Sequence, residues 1–333
     1  MTETAERPGS AVPAVPAAPA APAVRVLAMG EALVEFMPVP AGQTMAAADH
    51  FDKFAGGAPA TYAAALVRLG VPAGLITRIG EDPFSDFMLS ALAAEGVSTD
   101  LIRRLPDRQV GLCFHECLDG VTSLIFYRRD SAATTMTPDD INVEAIRSAA
   151  ALHVPGVALQ ISEGAKEACL TAIRIAAAAS VPISFDPNMR NLLGGTDTAQ
   201  AMEEAMSLAD LVTPTAQEAA AITGQKDPVR AAVELRARGP RLVAVTLAAE
   251  GAVLAAGGEV ITCPGFEVAV VEPTGAGDVH AAAMMIGLLR GWELERMGRF
   301  ANAAGALAVT AMGHLGDALP TPEAIQALLD DAE

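Results

Sequence analysis

Short apolar runs alternate with amphipathic segments along most of the chain, and this order constrains the fold more than any other feature. Runs typical of buried strands occur at 24–29, 73–79, 151–154, 182–185, 211–213 and 242–247. Segments typical of helices occur between them, at about 59–69, 84–94, 164–179, 198–208 and 227–238. Strands that alternate with helices favour a parallel sheet that helices cover on both faces. We therefore predict an α/β fold with a mostly parallel sheet.

Two regions interrupt this alternation. Residues 32–54 contain extended segments without a helical pattern, and residues 108–130 contain a predicted hairpin with Asp119-Gly120 at its turn. We expect these insertions to form a small β lid over the site at the strand ends. Residues 1–23 are rich in Ala and Pro, with prolines at 8, 13, 16, 19 and 22. This composition predicts a disordered tail before a domain that spans 24–330.

Composition narrows the function classes. The formal net charge is −18, which disfavours binding to nucleic acid or to anionic membranes. No apolar run reaches the roughly 18 residues that span a bilayer. The four cysteines, Cys113, Cys117, Cys169 and Cys263, lack a second pair at zinc-finger spacing, so reduced thiols are the better interpretation. We expect a cytoplasmic enzyme.

The strongest local motif is the glycine-rich loop Thr274-Gly275-Ala276-Gly277-Asp278, which follows an extended run at 266–271 and precedes an apolar helix. A turn of this kind presents backbone N–H groups at the positive end of a helix dipole, where they can bind an anion. Asp278 could be the N-cap of that helix, or it could take a proton from an attacking hydroxyl as a kinase base does. Walker and GxGxxG loops are absent, which disfavours P-loop ATPases and standard Rossmann dehydrogenases.

Several motifs together resemble the ribokinase family of carbohydrate kinases, also called PfkB-type kinases. The resemblance covers residues 24 to about 330. The residues that carry it are the glycine-rich loop, Gly30-Glu31-Ala32-Leu33-Val34-Glu35, Gly56-Gly57-Ala58-Pro59-Ala60, and the segments 79–84, 185–190, 245–247 and 302–306. The resemblance implies a three-layer α/β/α sandwich with a small β lid, and an enzyme that transfers phosphate from ATP, with Mg2+, to a sugar hydroxyl.

The resemblance also assigns roles to residues. Asp278 would be the catalytic base, and Gly275, Ala276 and Gly277 would form the anion hole. The implied sugar-binding residues are Glu35, Gly56, Gly57, Thr61, Arg128 and Arg190. Thr246, Gly251 and Asn302 would line the nucleotide site, and Glu218 would organise magnesium. Two alternatives stay open: Glu35 could be a solvated lid carboxylate, and Asn302 could be an exposed helix residue.

Among the residues that depart from the family pattern at the site are Thr61, Thr215, Glu272 and His280. They favour a rival hypothesis, in which the chain has the kinase fold and binds sugar or nucleotide with little turnover. His280 stands where phenylalanine is usual, and we expect it to be a polar residue packed at the helix start.

The sequence of the lid segment predicts the class of sugar substrate. Residues 126–133, which include Arg128, resemble the lid segment of 2-keto-3-deoxygluconate kinases. Arginine binds a carboxylate through a planar pair of donors, so Arg128 and Arg190 together predict a keto sugar acid as substrate. A fructokinase, or another ketohexose kinase, is the alternative. The resemblance also indicates a homodimer through the lid.

Overall fold

The computed structural model describes residues 25–40, 42–118, 121–189 and 196–332. The predicted tail at 1–23, the Asp119-Gly120 turn and Arg190 lie outside these ranges, so the predictions about them stay predictions. Within the same ranges, no helix combines the length and the apolar character that crossing a bilayer requires.

The strands fall into a large and a small sheet. In chain order they are β1 (Val26–Met29), β2 (Leu33–Val39), β3 (His50–Gly56), β4 (Ala73–Gly80), β5 (Ile102–Leu105), β6 (Gly111–Leu118), β7 (Val121–Tyr127), β8 (Ala151–Pro155), β9 (Ile183–Asp186), β10 (Leu211–Val212), β11 (Leu242–Thr246), β12 (Gly251–Ala256) and β13 (Glu259–Pro264). The large sheet has nine strands in the order β13-β12-β11-β10-β9-β8-β1-β4-β5. All its neighbours are parallel except β12, which runs antiparallel to β11 and to β13.

Helices cover both faces of the large sheet, as predicted. They are α1 (Ala58–Arg68), α2 (Pro83–Ala94), α3 (Val143–Arg147), α4 (Glu163–Ala178), α5 (Thr196–Leu208), α6 (Ala216–Thr223), α7 (Pro228–Ala237), α8 (Ala276–Leu289), α9 (Leu294–Ala308) and α10 (Pro322–Asp331). One hydrophobic core contains α1, α2 and α8–α10, and the other contains α3–α7. This is the expected three-layer α/β/α sandwich.

The two cores meet at the large sheet because its side chains alternate between faces. In β1, Val26 and Ala28 belong to the first core, and Leu27 and Met29 belong to the second. Successive residues of a strand point to opposite faces, so a strand buried on both faces is apolar throughout. That explains why these strands appear in the sequence as continuous apolar runs.

The small sheet confirms that the two interrupting regions form one structure. Its four strands lie in the order β3-β2-β6-β7. Strand β2 is parallel to β6, and β3 and β7 flank them in antiparallel pairs. On one face, the rings of Phe36 and Phe114 stack with centroids 4.9 Å apart. The opposite face carries Glu35 and Cys113, which are paired across β2 and β6. We call this small sheet the lid.

Two parts of the fold differ from the sequence prediction. Strands β12 and β13 form an antiparallel hairpin at the edge of the large sheet, where no strand pattern had been recognised. The run at 266–271 lies outside any strand. Its apolar residues Val270 and Val271 are 63% and 51% exposed, so this run is not a buried element of the sheet.

The topology places a crevice at the carboxyl end of β1. Strand β1 pairs with β4 on one side and with β8 on the other, so the direction of chain progression reverses there. In open α/β sheets, ligands bind at such a switch point, outside the carboxyl ends of the strands. A Cβ on Gly30, which follows β1, would lie 3.1 Å from Ala158 Cβ, so this end of the sheet is tightly packed.

An ion pair anchors the segment that leaves the lid. The Arg78 guanidinium, on β4, donates to both carboxylate oxygens of Asp140, each at 2.8 Å. The Arg78 side chain is 12% exposed and that of Asp140 is 6% exposed. Arg103 also contacts Asp140, at 3.3 Å, but its side chain is 59% exposed. The two arginines therefore form a matched pair, one buried and one solvated, on a single carboxylate.

We expect Arg78→Ala to lower the free energy of unfolding by about 3 kcal/mol, because it leaves the Asp140 carboxylate buried without its main partner. Arg103→Ala should cost less than about 1 kcal/mol, as exposed ion pairs do. Urea unfolding of both variants measures the difference. Equal losses in the two variants would contradict the role given to Arg78.

Candidate active site

The glycine-rich loop lies at the start of α8, and its backbone explains the glycines. Gly275 is the residue before the helix and has φ 91°, a conformation that favours glycine. Asp278 is therefore the third residue of α8 and not its N-cap, which removes one of the two interpretations of this carboxylate. The Glu272 side chain accepts a hydrogen bond from Thr274 N–H (2.9 Å) and fixes the turn before the helix.

This loop forms a wall between two cavities. The first cavity has a volume of about 40 Å3 and lies between the loop and the lid. Its lining comprises Glu31, Leu33, Glu35, Gly57, Ala58, Thr61, Cys113, Leu124, Phe126, Arg128, Val157, Thr274, Gly275, Asp278 and His314. The lid and the loop thus line one cavity from its two sides.

The second cavity, of about 380 Å3, lies on the other side of the loop. Its lining comprises Thr246, Ala248, Ala249, Gly251, Gly265, Phe266, Glu267, Val268, Val270, Pro273, Ala276, Gly277, His280, Asn302, Gly305, Ala306 and Val309. Three of the predicted nucleotide-site residues, Thr246, Gly251 and Asn302, thus share this cavity with Ala276 and Gly277. Gly275, in contrast, faces the first cavity.

Asp278 is 6% exposed and lines the first cavity. Thr61 is buried in α1 and lies against the loop, since a Cβ on Gly275 would be 3.6 Å from Thr61 Cγ2. The structure therefore brings together Asp278, Gly275, Thr61, Gly57, Glu35 and Arg128 as the sequence predicted. Their roles toward a sugar remain predictions.

Glu35 is buried, which excludes the alternative of a solvated lid carboxylate. Its Oε1 accepts a hydrogen bond from Gly57 N–H at 2.8 Å, and its Oε2 contacts His115 Nε2 and His314 Nε2. Burial alone would raise the pKa of Glu35, but the positive charge of His314 and the hydrogen bond of His115 outweigh it and hold the pKa well below its usual range. Burial would lower the pKa of His314, but the charges of Glu35, Glu272 and Asp278 keep it above its usual value.

The paired glycines leave room for protein atoms as well as for a ligand. A Cβ on Gly56 would lie 2.3 Å from Glu35 Oε1, and a Cβ on Gly57 would lie 2.5 Å from the Glu31 carbonyl oxygen. Gly57 also has φ 96°. Only Gly57 of the two lines the first cavity, whereas Gly56 accommodates Glu35. The close approach of a sugar to the paired glycines stays a prediction.

Arg128 directly follows β7 and lines the first cavity, but its charge is already paired. Its Nη1 donates to Glu31 Oε2 at 2.8 Å, and Ser131 Oγ lies 3.3 Å from Glu31 Oε1. Burial raises the pKa of Glu31, although Arg128 and Ser131 partly offset that effect. A carboxylate thus already occupies one edge of the Arg128 guanidinium.

The second cavity contains two buried polar side chains. Asn302 is 7% exposed, so it is not the exposed helix residue of the alternative interpretation, and its amide donates to the carbonyls of Cys263 and Pro264, both at 3.0 Å. His280 is 4% exposed, and burial lowers its pKa to about 4. The expectation that His280 packs at the helix start is confirmed.

Glu218 forms the capping box of α6 with Thr215. Its Oε2 accepts hydrogen bonds from Thr215 N–H and Oγ1, both at 2.9 Å, and its Oε1 accepts one from Met189 N–H at 2.6 Å. Thr215 therefore has a structural function of its own. The carboxylate connects the start of α6 to the loop after β9.

The sequence analysis did not identify Glu31, His115 and His314 as residues of the candidate site. His115 could have been found, because it lies two residues after Cys113 in a strand and so shares its face of the lid. Glu31 belongs to a motif that was recognised, but only the structure shows its contact with Arg128. His314 follows α9 in a loop, and nothing in its local sequence indicates that it reaches Glu35.

Comparison with known proteins identifies the family of this chain. Residues 24–322 match the pfkB family of carbohydrate kinases. Fructokinase-1 of Zea mays is 32% identical over 320 residues, covering 92% of this chain and 98% of its own. A crystal structure described as ribokinase II of E. coli, in complex with ATP and Mg2+, has a TM-score of 0.86 and 29% identity, covering 92% of this chain and 99% of the other.

The chain therefore belongs to the pfkB family of carbohydrate kinases. The narrower resemblance to 2-keto-3-deoxygluconate kinases is not established by these comparisons. The 2-dehydro-3-deoxygluconokinase of Thermotoga maritima superimposes with a TM-score of 0.85, covering 92% of this chain and 99% of its own, at 24% identity. That likeness shows a shared fold alone.

The depressed pKa of His280 makes stability depend on pH. A folded-state pKa of about 4, below the unfolded value of about 6.5, means that the unfolded chain binds the proton first as the pH falls. The stability that neutral His280 contributes is fully present above about pH 6.5 and is lost progressively between about pH 6.5 and 4.

We expect His280→Phe to remove this pH dependence. Between about pH 7 and 4, the free energy of unfolding of the variant should fall by roughly 2–3 kcal/mol less than that of the wild type. Urea unfolding across this range measures it. His50→Gln, at an exposed position on β3, is the control and should follow the wild type. Parallel curves for wild type and His280→Phe would show that His280 does not titrate as stated.

Proposed function

We propose that this protein transfers a phosphoryl group from ATP to a hydroxyl of a neutral ketohexose, with Asp278 as the base. The observation that carries this proposal is the position of the loop 274–278 between two cavities. Thr274, Gly275 and Asp278 line the first cavity, and Pro273, Ala276 and Gly277 line the second. A phosphoryl group transferred between ligands in the two cavities would pass this loop.

The first turn of α8 supplies the electrostatics that such a transfer requires. The N–H groups at the start of a helix have no partner within it, and the helix dipole places positive potential there. The N–H groups of Ala276 and Gly277 would hold the charge of the transferred group, as fixed donors do in an anion hole. Asp278, in the same turn, would take the proton of the attacking hydroxyl.

The second cavity fits a nucleotide. Thr246, Gly251 and Asn302 line it, together with apolar residues such as Phe266 and Val309. The E. coli relative with ATP and Mg2+ supports the choice of nucleotide and metal. A carboxylate has about four lone-pair sites, and the three hydrogen bonds to Glu218 leave room for one more contact, directly or through water. Glu218 would thus hold Mg2+, which supplies charge neutralisation at the phosphates when bound.

The lid would admit the sugar and then exclude water. The lid lines the first cavity from one side, and its closure over a bound sugar would exclude water. On closing, it would bring Arg128, Phe126 and Leu124 against the substrate.

The charges in the first cavity favour a neutral sugar. Arg128 is paired with Glu31, and Glu35 and Asp278 raise the number of carboxylates in the lining to three. A sugar acid would have to share Arg128 with Glu31 and would lie beside its negative charge. A ketohexose instead offers hydroxyls that both Glu31 and Arg128 can hydrogen-bond. The name of the Zea mays relative, a fructokinase, supports the same choice.

A keto sugar acid is the second candidate, because Arg128 does line the cavity. That candidate also uses Arg190, which lies outside the described residues. The departures Glu272 and Thr215 do not argue against turnover, since each forms the turn or cap that its position requires.

We expect Asp278→Asn to lower kcat at least about a hundredfold while ATP and sugar still bind, the usual effect of losing a general base. Asp86→Asn is the matched control, because Asp86 also lies in the first turn of a helix but is exposed. Steady-state kinetics and calorimetric binding measure both quantities. Turnover of Asp278→Asn near the wild-type value would contradict the assignment of the base.

Substrate choice is tested with fructose and 2-keto-3-deoxygluconate under saturating ATP and Mg2+. We expect the wild type to have the higher kcat/KM on fructose. Glu31→Gln removes a negative charge, so it should shift the ratio of the two efficiencies toward the sugar acid by roughly tenfold. Arg129→Gln, at the exposed neighbour of Arg128, is the control and should leave the ratio unchanged.

A wild-type preference for the sugar acid, with Arg128→Gln losing activity on that substrate alone, would replace the ketohexose by the keto sugar acid. It would leave the kinase proposal and the role of Asp278 intact.

A further inference from the structure

We propose that Glu35, Cys113, His115 and His314 form a binding site for Zn2+ between the lid and the body of the protein. Three of these residues lie on the lid and one lies on the loop after α9. We call this set the lid cluster. Binding at the lid cluster does not depend on the proposed kinase activity.

The lid sheet places three of the four residues on one face. Glu35 on β2 pairs directly with Cys113 on β6, and His115 lies two residues further along the same strand. Side chains two residues apart in a strand point the same way. One donor atom from each of the three, a carboxylate oxygen, a sulfur and an imidazole nitrogen, lies within 4.8 Å of the other two. All three side chains are buried.

His314 supplies the fourth donor from the opposite side. Its Nε2 lies 2.8 Å from Glu35 Oε2, the same oxygen that His115 Nε2 contacts. The rings of His115 and His314 have centroids 5.5 Å apart, so both imidazoles converge on one carboxylate oxygen. His314 is 3% exposed, so its Nε2 and this oxygen are enclosed by protein. A cation held by both imidazoles and this oxygen would replace the proton of the Glu35–His314 ion pair, because a metal-ligating histidine has to be deprotonated.

Neighbouring groups already orient these ligands. Gly57 N–H donates to Glu35 Oε1 at 2.8 Å, which leaves Oε2 for the cation. His314 Nδ1 donates to the Thr274 carbonyl oxygen at 3.2 Å, which leaves Nε2 as its donor atom to a metal. Hydrogen bonds of this kind, from the far side of each ligand, are typical of zinc sites and hold the ligands in position.

The donor set selects the metal. A thiolate, two imidazoles and a carboxylate suit a tetrahedral Zn2+ ion, whereas Mg2+ prefers oxygen ligands alone. With zinc bonds of about 2.0–2.3 Å, tetrahedral ligand atoms lie about 3.3–3.8 Å apart. The imidazole and carboxylate atoms would therefore separate by about 1 Å on binding, and the Cys113 sulfur would move inward by a similar distance.

Zinc at the lid cluster would occupy the sugar cavity. Glu35, Cys113 and His314 all line the first cavity together with Asp278. An ion coordinated there also joins the lid to the body, because His314 belongs to the body and the other ligands belong to the lid. Zn2+ should therefore inhibit the kinase reaction in competition with the sugar and not with ATP. This expectation rests on the proposed function.

The binding test uses the full chain without nucleotide and with Co2+ as a spectroscopic probe for Zn2+. We expect one Co2+ per chain, intense visible bands of a tetrahedral ion, a near-ultraviolet sulfur-to-cobalt charge-transfer band, and loss of all bands when Zn2+ is added. Cys113→Ser should abolish the charge-transfer band, and His314→Gln should weaken Zn2+ binding at least about tenfold. Cys169→Ala, at a buried cysteine in the second core, should keep both signals. Thermal unfolding of each variant checks that it is folded.

Absence of saturable binding of one Co2+ per chain would overturn the site, and so would a charge-transfer band that survives in Cys113→Ser. A kinase assay with saturating ATP and excess Mg2+ tests the consequence separately. Zn2+ should raise the KM for sugar in the wild type and in Cys169→Ala, and EDTA should reverse the effect. Inhibition that competes with ATP, or Zn2+ binding without a change in the sugar KM, would overturn the location in the sugar cavity.

Discussion

The burial of α8 is the constraint on which the candidate site depends. Asp278 and each residue from Val279 to Gly287 are buried, so the helix is enclosed by α1, α9 and the sheet and has almost no exposed face. A helix that is apolar on all sides can only be a central element of the core. Its first turn is consequently held in place, and the backbone N–H groups there do not have to be ordered when a ligand arrives. Preorganised donors of this kind stabilise developing charge most effectively.

The lid provides the second half of the site and is held quite differently. It touches the body of the protein through charged and polar side chains, above all through the contact of Glu35 with His314 in the loop after α9. A buried ion pair costs desolvation that its attraction barely offsets, so it adds little to stability but defines a geometry strictly. Such contacts are suited to a lid that closes in one defined position and can still open. In the proposed function, the rigid helix would stabilise charge and the polar lid contact would admit the substrate.

The sequence predicted the strands buried on both faces, the lid and the loop of α8 because each carries a local pattern. Periodicity marked β1, β4 and β11 to within a few residues, and the insertions at 32–54 and 108–130 were visible as breaks in it. The lid cluster could not be predicted in this way. Glu35 and His115 are 80 residues apart, and His314 belongs to a different part of the fold. The Glu31–Arg128 contact, across 97 residues, was hidden for the same reason. Contacts of this range arise from topology, which local patterns do not encode.

The alternation of β1 between the two cores also restricts how this chain can change in evolution. Val26 and Ala28 face one core, and Leu27 and Met29 face the other. A single-residue insertion or deletion inside this strand would exchange the two sets, because side-chain direction repeats every two residues. It would also move Glu31 out of reach of Arg128, since Glu31 follows the strand by two positions. Insertions and deletions should therefore accumulate in the loops at the amino ends of the strands, on the side of the sheet away from Glu31. Strand β1 itself should change only by substitution.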